Sequence, residues 1–215
     1  MYVPRAFEVT DPAWCHALMR AQSFATMITA DDGGLPFATH LPFLLDETRG
    51  PKGTLRGHVA RANPHWRHLA SGRPTLAVFA GAHAYVSPSW YATHPSVPTC
   101  NYVAVHASGR GHLVEEPVRV KALLADLVRV YESTGPAAWS LDSLPGEYLD
   151  GMQRGIVAFE IPIDRLEGKA KLSQNRDAVD RARVAEALAA TDDPLARAVA
   201  ALMAPAPDRP APPGQ

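Results

Sequence analysis

Two β-forming runs lie on either side of a four-residue turn early in the chain, and this pattern constrains the fold more than any other. FATMITA (residues 24–30) leads into Asp31-Asp32-Gly33-Gly34, and LPFATHLPFLLD returns. Tight hairpin turns favour glycine, which accepts positive φ at no steric cost, so an antiparallel pair is expected. Pro36 and Pro42 each lack a ladder N–H, which confines the returning strand to a sheet edge or to bulges. Thr39 and His40 lie between them. That pair either faces a ligand or holds a histidine bonded to backbone, and the residues leave both open.

The same punctuation recurs along the chain. GTLRGHVA is a short β run, and ARANPHW closes it with Asn63 as the expected N-cap and Pro64 at the first helical position. A helix start preceded by Arg61 suits an anion. PTLAVF reads as a buried strand, and AYVSPSWY as a second one ending in a Pro-broken edge. NYVAVHASGRGHLVEE is a long strand with a bend where Gly109 and Gly111 flank Arg110, and IVAFEIPIDRLEG is the last strand.

Helices fall between and after these strands. One starts at Thr10-Asp11-Pro12, ends near Gln22 and sends Trp14, Leu18 and Met19 to the core. PVRVKALLADLVRVYES carries Val120, Leu123, Leu124, Leu127, Val128 and Tyr131 at helical spacing, with Arg119, Lys121 and Arg129 expected in solvent. A short helix is expected around residues 147–153, and two more over 177–189 and 194–203. About six or seven strands joined mostly by short turns predict an antiparallel, closed or partly closed β-barrel with peripheral helices, an α+β chain. The expected division is a barrel domain over 1–175, C-terminal helices over 176–203, and a Pro-rich tail over 204–215 with the composition of disorder.

Of 215 residues, 47% are hydrophobic and 20% charged, enough to build a globular core. A formal net charge of -1 argues against a broad nucleic-acid-binding face, which needs clustered Lys and Arg. Cys15 and Cys100 form no CxxC and read as free thiols. No apolar run reaches membrane-spanning length and the first residues are no signal peptide, so a cytoplasmic protein without membrane contact is expected.

The nine histidines include no HxH or HExxH spacing. His65 and His68 alone could share a helix face, and without a nearby carboxylate they predict no metal site. No GxSxG elbow occurs, and Gly109-Arg110-Gly111 lacks the third glycine of a dinucleotide loop. No catalytic residue is identified, although His40 or His58 would be the nearest to a proton donor. What the residues do support is an anion and ring ligand held at strand ends. Three polar clusters fall there: Thr39-His40, Arg61 with Asn63, and the run Lys169-Ala170-Lys171-Leu172-Ser173-Gln174-Asn175. That last run reads equally as a ligand-binding segment and as a solvated turn.

GTLRGHVARANPHW, AYVSPSWY, VPTCNYVAVHASGRG and GKAKLSQNR, in this order, resemble the signature segments of the PaiB-type proteins, the FMN-binding negative transcriptional regulators. MYVPRAFEVTD and FATMITADDGGLPFATHLPFLL resemble that family's N-terminal part, so the resemblance covers roughly residues 1–190. It implies a split β-barrel of the flavin-binding, pyridoxamine-phosphate-oxidase-like kind, a homodimer, and FMN in a groove between subunits. By resemblance, His58, Arg61, Ala62 and Asn63 match the flavin-phosphate segment, and Thr39, His40 and Leu41 match a strand lining the isoalloxazine. Lys171, Ser173, Gln174 and Asn175 match a segment near the ligand or the dimer interface. The family pattern carries aromatics where this chain has Cys100 and Ala170. If either touches the flavin, FMN binding is weakened or lost.

Three functions follow as expectations. The family label implies a transcriptional regulator, for which DNA contact would fall to the C-terminal helices, where Arg176, Arg181 and Arg183 are interleaved with Asp177, Asp180 and Glu186. The alternative is a flavin-dependent oxidoreductase, flavin-reductase-like, with no direct DNA binding. The histidine count alone raises a third, a haem-handling relative of the same barrel.

Overall fold

A computed structural model describes residues 1–132 and 139–204. The expected tail beyond Ala204 and part of the loop expected after residue 133 lie outside the described residues. In chain order the elements are β1 (Glu8–Val9), α1 (Pro12–Ala21), β2 (Phe24–Ala30), β3 (Pro36–Pro42), β4 (Leu44–Asp46), β5 (Thr54–Ala60) and α2 (His65–Ala70). There follow β6 (Pro74–Val86), β7 (Thr99–Arg110), β8 (His112–Val114), α3 (Pro117–Glu132), α4 (Gly146–Arg154), β9 (Ile156–Lys171), α5 (Ala178–Ala189) and α6 (Pro194–Met203). Strand order in the sheet is β3-β2-β6-β7-β9-β5-β4, with β1 and β8 also pairing with β9. Among the described residues no helix is long and apolar enough to cross a membrane.

Local signals account for most element ends. The expected hairpin forms antiparallel from Phe24↔Pro42 to Ala30↔Pro36, and Asp31 Oδ1 ties its turn by accepting from the Gly33 and Leu35 amides. Pro36 and Pro42 occupy the two ends of β3, which is the terminal strand of the order, as two missing donors require. Asp11, Asp177 and Asp193 each cap a helix, accepting from Ala13, Asp180 and Leu195 amides at 2.8–2.9 Å.

The chain forms two compact units, each assembled from separate stretches. The first comprises residues 1–22, 79–106 and 166 onward. Here β1 pairs with β9 (Glu8↔Lys169), and the core holds Leu18, Met19, Phe79, Val86, Val105, Leu172, Val184, Leu188 and Val199. Trp14, expected in the core, is only half-buried. The Cys15 and Cys100 thiols are free, and burial pushes that of Cys15 up to about 11, so it stays protonated at neutral pH.

PTLAVF and the first three residues of AYVSPSWY form one strand, β6, where two were expected, and Pro88–Trp90 beyond it make a single 3-10 turn. Gly81 lies between the two runs. A Cβ there would approach Val103 Cγ2 to 2.6 Å and Leu18 Cδ1 to 3.0 Å. The glycine admits close packing inside a continuous strand.

The second unit comprises residues 23–78 and 107–165. β5 pairs antiparallel with β9 from Thr54↔Pro162 to Ala60↔Ile156, and β8 joins the same stretch of β9. Leu55, Leu69, Phe159, Ile161 and Ile163 are fully buried, and Phe43 meets Phe159 edge-on. α3 lays Val120, Leu123 and Leu127 against Val114 and Ala158, with Leu124 partly buried beside them. Tyr131, expected in this stripe, is 47% exposed and bonds Ser23 through its hydroxyl.

Arg119 departs from the solvated role expected of it. It donates to Glu160 at 2.9 Å, and Arg49 grips the same carboxylate through both oxygens at 2.7 and 2.6 Å. His112 Nε2 stands 3.4 Å away, and Arg56 pairs with Asp126 at 2.7 Å. Glu160 itself is 4% exposed. The Arg49 hydrogen bond, with Arg119 behind it, pulls the carboxyl down to about 2 against the cost of burial.

Candidate functional site

A connected polar group in the second unit is built where the start of α2 meets β2 and β3. α2 begins at His65 with Pro64, not Asn63, in the cap position, one residue later than expected. Asn63 Oδ1 still accepts from the His65 amide at 3.0 Å, which leaves its Nδ2 to donate to Thr39 Oγ1 at 3.0 Å. Thr39 Oγ1 also meets His65 Nδ1 at 2.8 Å. His65 Nε2 meets Thr29 Oγ1 at 3.1 Å, and Thr29 Oγ1 meets His68 Nδ1 at 2.7 Å. Phe37 sets its edge on both imidazoles. His65 is wholly buried. Burial, then the neighbouring His68, pushes it down to about 4, so it is neutral at physiological pH.

Arg61 lies at the end of β5. Its Nε and Nη2 donate to the Arg154 and Ile156 carbonyls at 2.7 and 2.8 Å, and its own carbonyl accepts from Trp66 Nε1 at 3.0 Å. The guanidinium keeps Nη1 without a partner among the described residues. Arg61 and Trp66 also border a cavity of about 680 Å³ with Gln153, Arg154, Val120 and Ile156. Ala62 is exposed in the turn between β5 and α2.

The other expected residues of this unit point in different directions. His40 is exposed on β3, bonded through Nδ1 to Thr26 at 3.0 Å and stacked on the 69%-exposed Phe24 at an interplanar angle of 26°. Leu41 is buried, and Gly57 lies against its side chain. His58 pairs across the sheet with Ala158, on the face covered by α3. Its Nδ1 is buried without a partner among the described residues, and burial lowers its pKa.

Lys171, Ser173, Gln174 and Asn175 belong to the first unit. Lys171 Nζ reaches Thr99 Oγ1 and the Cys100 carbonyl at 2.5 Å, and burial lowers its pKa. Ser173 adopts φ 63° and accepts from Asn101 Nδ2 at 2.9 Å, in a wholly buried pair. Gln174 turns back on its own backbone, accepting from Leu172 N and donating to Ala170 O. Asn175 lines a cavity of about 170 Å³ with Lys171, Tyr91 and Arg176, whose guanidinium lies over the Tyr91 ring. The run thus divides: Lys169 to Lys171 close β9, Leu172 and Ser173 are buried just past it, and Gln174 and Asn175 are exposed in the turn that follows. Ala170 is itself buried, whereas Cys100 is exposed.

The structure therefore joins Thr39 to Asn63, keeps Leu41 buried on the same face of β3, turns His40 to the other face and leaves His58 on β5 under α3. Sequence reasoning missed Thr29, His65, His68 and Phe24 as companions of these residues. The i, i+3 spacing of His65 and His68 was the one available signal. It marks a shared bond to Thr29, 36 and 39 residues away.

Comparison with known proteins places this architecture. Solved structures with the same fold include the flavocytochrome Anf3 from Azotobacter vinelandii (TM-score 0.58, 16% identity, 84% of this chain and 78% of that one). Another is the FAD and heme binding protein from Mycobacterium smegmatis (TM-score 0.56, 18% identity, 81% and 78%). The fold is thus a flavin-type split barrel with helices. The family model described as "Putative FMN-binding domain" matches residues 1–165. The protein named protease synthase and sporulation protein PAI 2, from Bacillus subtilis, is 36% identical over 94% of this chain and 96% of its own length. An uncharacterized protein of Aspergillus fumigatus is 32% identical over 75% and 79%. The chain belongs to the PaiB-like FMN-binding domain family.

Proposed function

We propose that this protein binds FMN in its second unit, with the phosphate at the Arg61–Asn63 turn and the ring along β3 at Thr39 and His40. The observation that carries this reading is the hydrogen bond from Asn63 Nδ2 to Thr39 Oγ1, which holds the two segments together. The donor set suits the group. Arg61 offers Nη1 for a phosphate oxygen, on a guanidinium that two carbonyls hold in place. β3 is a terminal strand, so alternate N–H and C=O groups face away from β2 and can meet the polar edge of a flavin ring. The stacked Phe24 and His40 add exposed flat surface beside it. Bound FMN would supply the redox chemistry, and the chain's own residues would position it and exclude water.

Leu41 and His58 enter this reading only through their backbone and packing, because their side chains turn inward. Lys171, Ser173, Gln174 and Asn175 enter as the scaffold of the β9 end. A homodimer completes the proposal, since a second copy would cover the exposed β3 edge.

In the Arg61→Ala variant the affinity for FMN, measured by fluorescence quenching, is expected to fall about tenfold or more, the loss of one charge-assisted hydrogen bond. A melting curve run alongside reports any loosening at Arg154 and Ile156. Unchanged FMN affinity would remove Arg61 from the phosphate site.

Transcriptional regulation is the second reading. It rests on the family label and on the pairing of α5 with α6 across the short link 190–193. Direct DNA binding would give a gel shift with the protein's own upstream DNA that weakens steeply with salt. Persistent absence of a shift at low salt would favour the oxidoreductase.

A further inference from the structure

The hydrogen bonds from Asn63 to His68 form one unbroken line: Asn63 Nδ2, Thr39 Oγ1, His65 Nδ1 and Nε2, Thr29 Oγ1, His68 Nδ1. Its middle is dry, with His65 wholly buried and Thr29 2% exposed, while Thr39 and His68 at the two ends are half-buried. Each inner member has one proton to give toward one neighbour and a lone pair for the other. Asn63 cannot flip, because its Oδ1 is held by the His65 amide.

With one proton on each imidazole, two arrangements satisfy every bond and also keep the proton of the buried Thr29 hydroxyl within the line. In the first, Thr39 donates to His65 Nδ1, His65 Nε2–H donates to Thr29, Thr29 donates to His68 Nδ1, and His68 carries its proton on Nε2. In the second all three bonds reverse. Both rings are then protonated on Nδ1, and the Thr39 hydroxyl proton points outward. Thr39 is an acceptor toward the groove in the first arrangement and a donor in the second.

We infer that Thr39, His65, Thr29 and His68 act as a single proton relay, which links the hydrogen-bond polarity of Thr39 to the tautomer of the half-buried His68. Passing from the second arrangement to the first, Thr39 gives its outward proton to a basic ring nitrogen or anionic oxygen of a ligand bound beside it and takes the Nδ1 proton of His65. His65 Nε2 takes the Thr29 proton, Thr29 takes the Nδ1 proton of His68, and water supplies one proton to His68 Nε2. One proton enters and one leaves, with no charge left in the buried middle, where it would be most costly. His65, Thr29 and His68 are positioning residues that act on a ligand through Thr39. That last step rests on the flavin reading; the coupling within the chain does not.

Nitrogen-15 NMR of histidine-labelled full-length protein at neutral pH reads the tautomer of each ring directly. Ligand-free wild-type protein is expected to show His65 and His68 both protonated on Nε2, the first arrangement, because the second gives the Thr39 proton no acceptor among these side chains. Asn63→Asp makes residue 63 an acceptor toward Thr39, so it should reverse the line and move His68 to the Nδ1–H form, four hydrogen bonds from the substitution. Adding Thr29→Val should return His68 to the Nε2–H form and leave His65 reversed. A purely structural histidine pair would show no such transmission. Opposite tautomers at His65 and His68 in wild-type protein would overturn the relay, and so would an Asn63→Asp variant whose His68 is unmoved. If Asn63→Asp does not fold, the wild-type tautomers decide. FMN serves as the ligand probe: a change at His68 on adding FMN ties the relay to that site. If absorbance shows no FMN uptake, the flavin reading fails and the ligand-free tautomers still decide the relay.

Discussion

Replacing Glu160 by alanine is expected to cost about 3–5 kcal/mol of stability, the usual penalty for removing one partner of a buried ion pair. Four groups converge on its carboxylate. Arg49 takes both oxygens, Arg119 donates to Oε2, His112 stands 3.4 Å away, and Arg56 Nε lies 4.0 Å from Oε1. They join the 46–54 connection and the start of α3 to β9, so without the carboxylate two guanidinium groups face each other over apolar β9. Urea denaturation would measure the loss, and a change below about 1 kcal/mol would show that the arginines relax into solvent at little cost. The same carboxylate sets a pH signature. Its folded pKa, about 2, lies below the ordinary 4.5. Its contribution is therefore complete above 4.5 and is lost progressively as the pH falls toward 2. Acid should narrow the gap between wild type and Glu160→Ala.

Gly109→Ala is expected to be nearly as damaging, at about 3 kcal/mol or more, since overpacking against rigid backbone exceeds the ordinary range for side-chain crowding. The added Cβ would fall 2.0 Å from the Pro162 carbonyl oxygen and 3.1 Å from Ile161 Cγ2. Neither is the flexible end of a side chain. β7 and β9 would have to separate near the pairing of β9 with β5 and β8, which also carries Glu160. A variant melting within a degree or two of wild type would mean that the strands part there at little cost.

The parts of this molecule that could be read in the sequence are those whose cause is local. Asp31 fixes the hairpin through amides two and four residues away, and Asp11, Asp177 and Asp193 cap helices through amides two or three residues on. Pro36 and Pro42 announced an edge strand because a missing donor is a property of the residue itself. Asn63 could be read beside a helix start for the same reason, although Pro64 takes the cap position. The distant contacts could not be read. PTLAVF and AYV read as separate strands until Val103 and Leu18 are seen against Gly81 between them. Arg119 looks solvated until Glu160, 41 residues on, is placed beside it. The run from Lys169 to Asn175 reads as polar, yet it satisfies much of its polarity on its own backbone and on Thr99, Cys100 and Asn101.

The candidate site divides along the same line. Resemblance supplied Thr39 and Asn63, and the structure joins them by a hydrogen bond spanning 24 residues. Thr29 and His65 complete that network from β2 and α2, and no spacing rule connects them. His40 was expected as part of the same strand, but alternation along β3 sends it to the opposite face from Thr39, beside Phe24.

The most direct measurement is the visible spectrum of the purified full-length protein before and after adding FMN, followed by gel filtration. A two-band flavin spectrum that travels with the protein, and is weakened by Arg61→Ala, is the predicted result. A protein that stays colourless and passes FMN through the column unchanged would contradict the assignment of the Arg61–Asn63 turn and β3 as a flavin site.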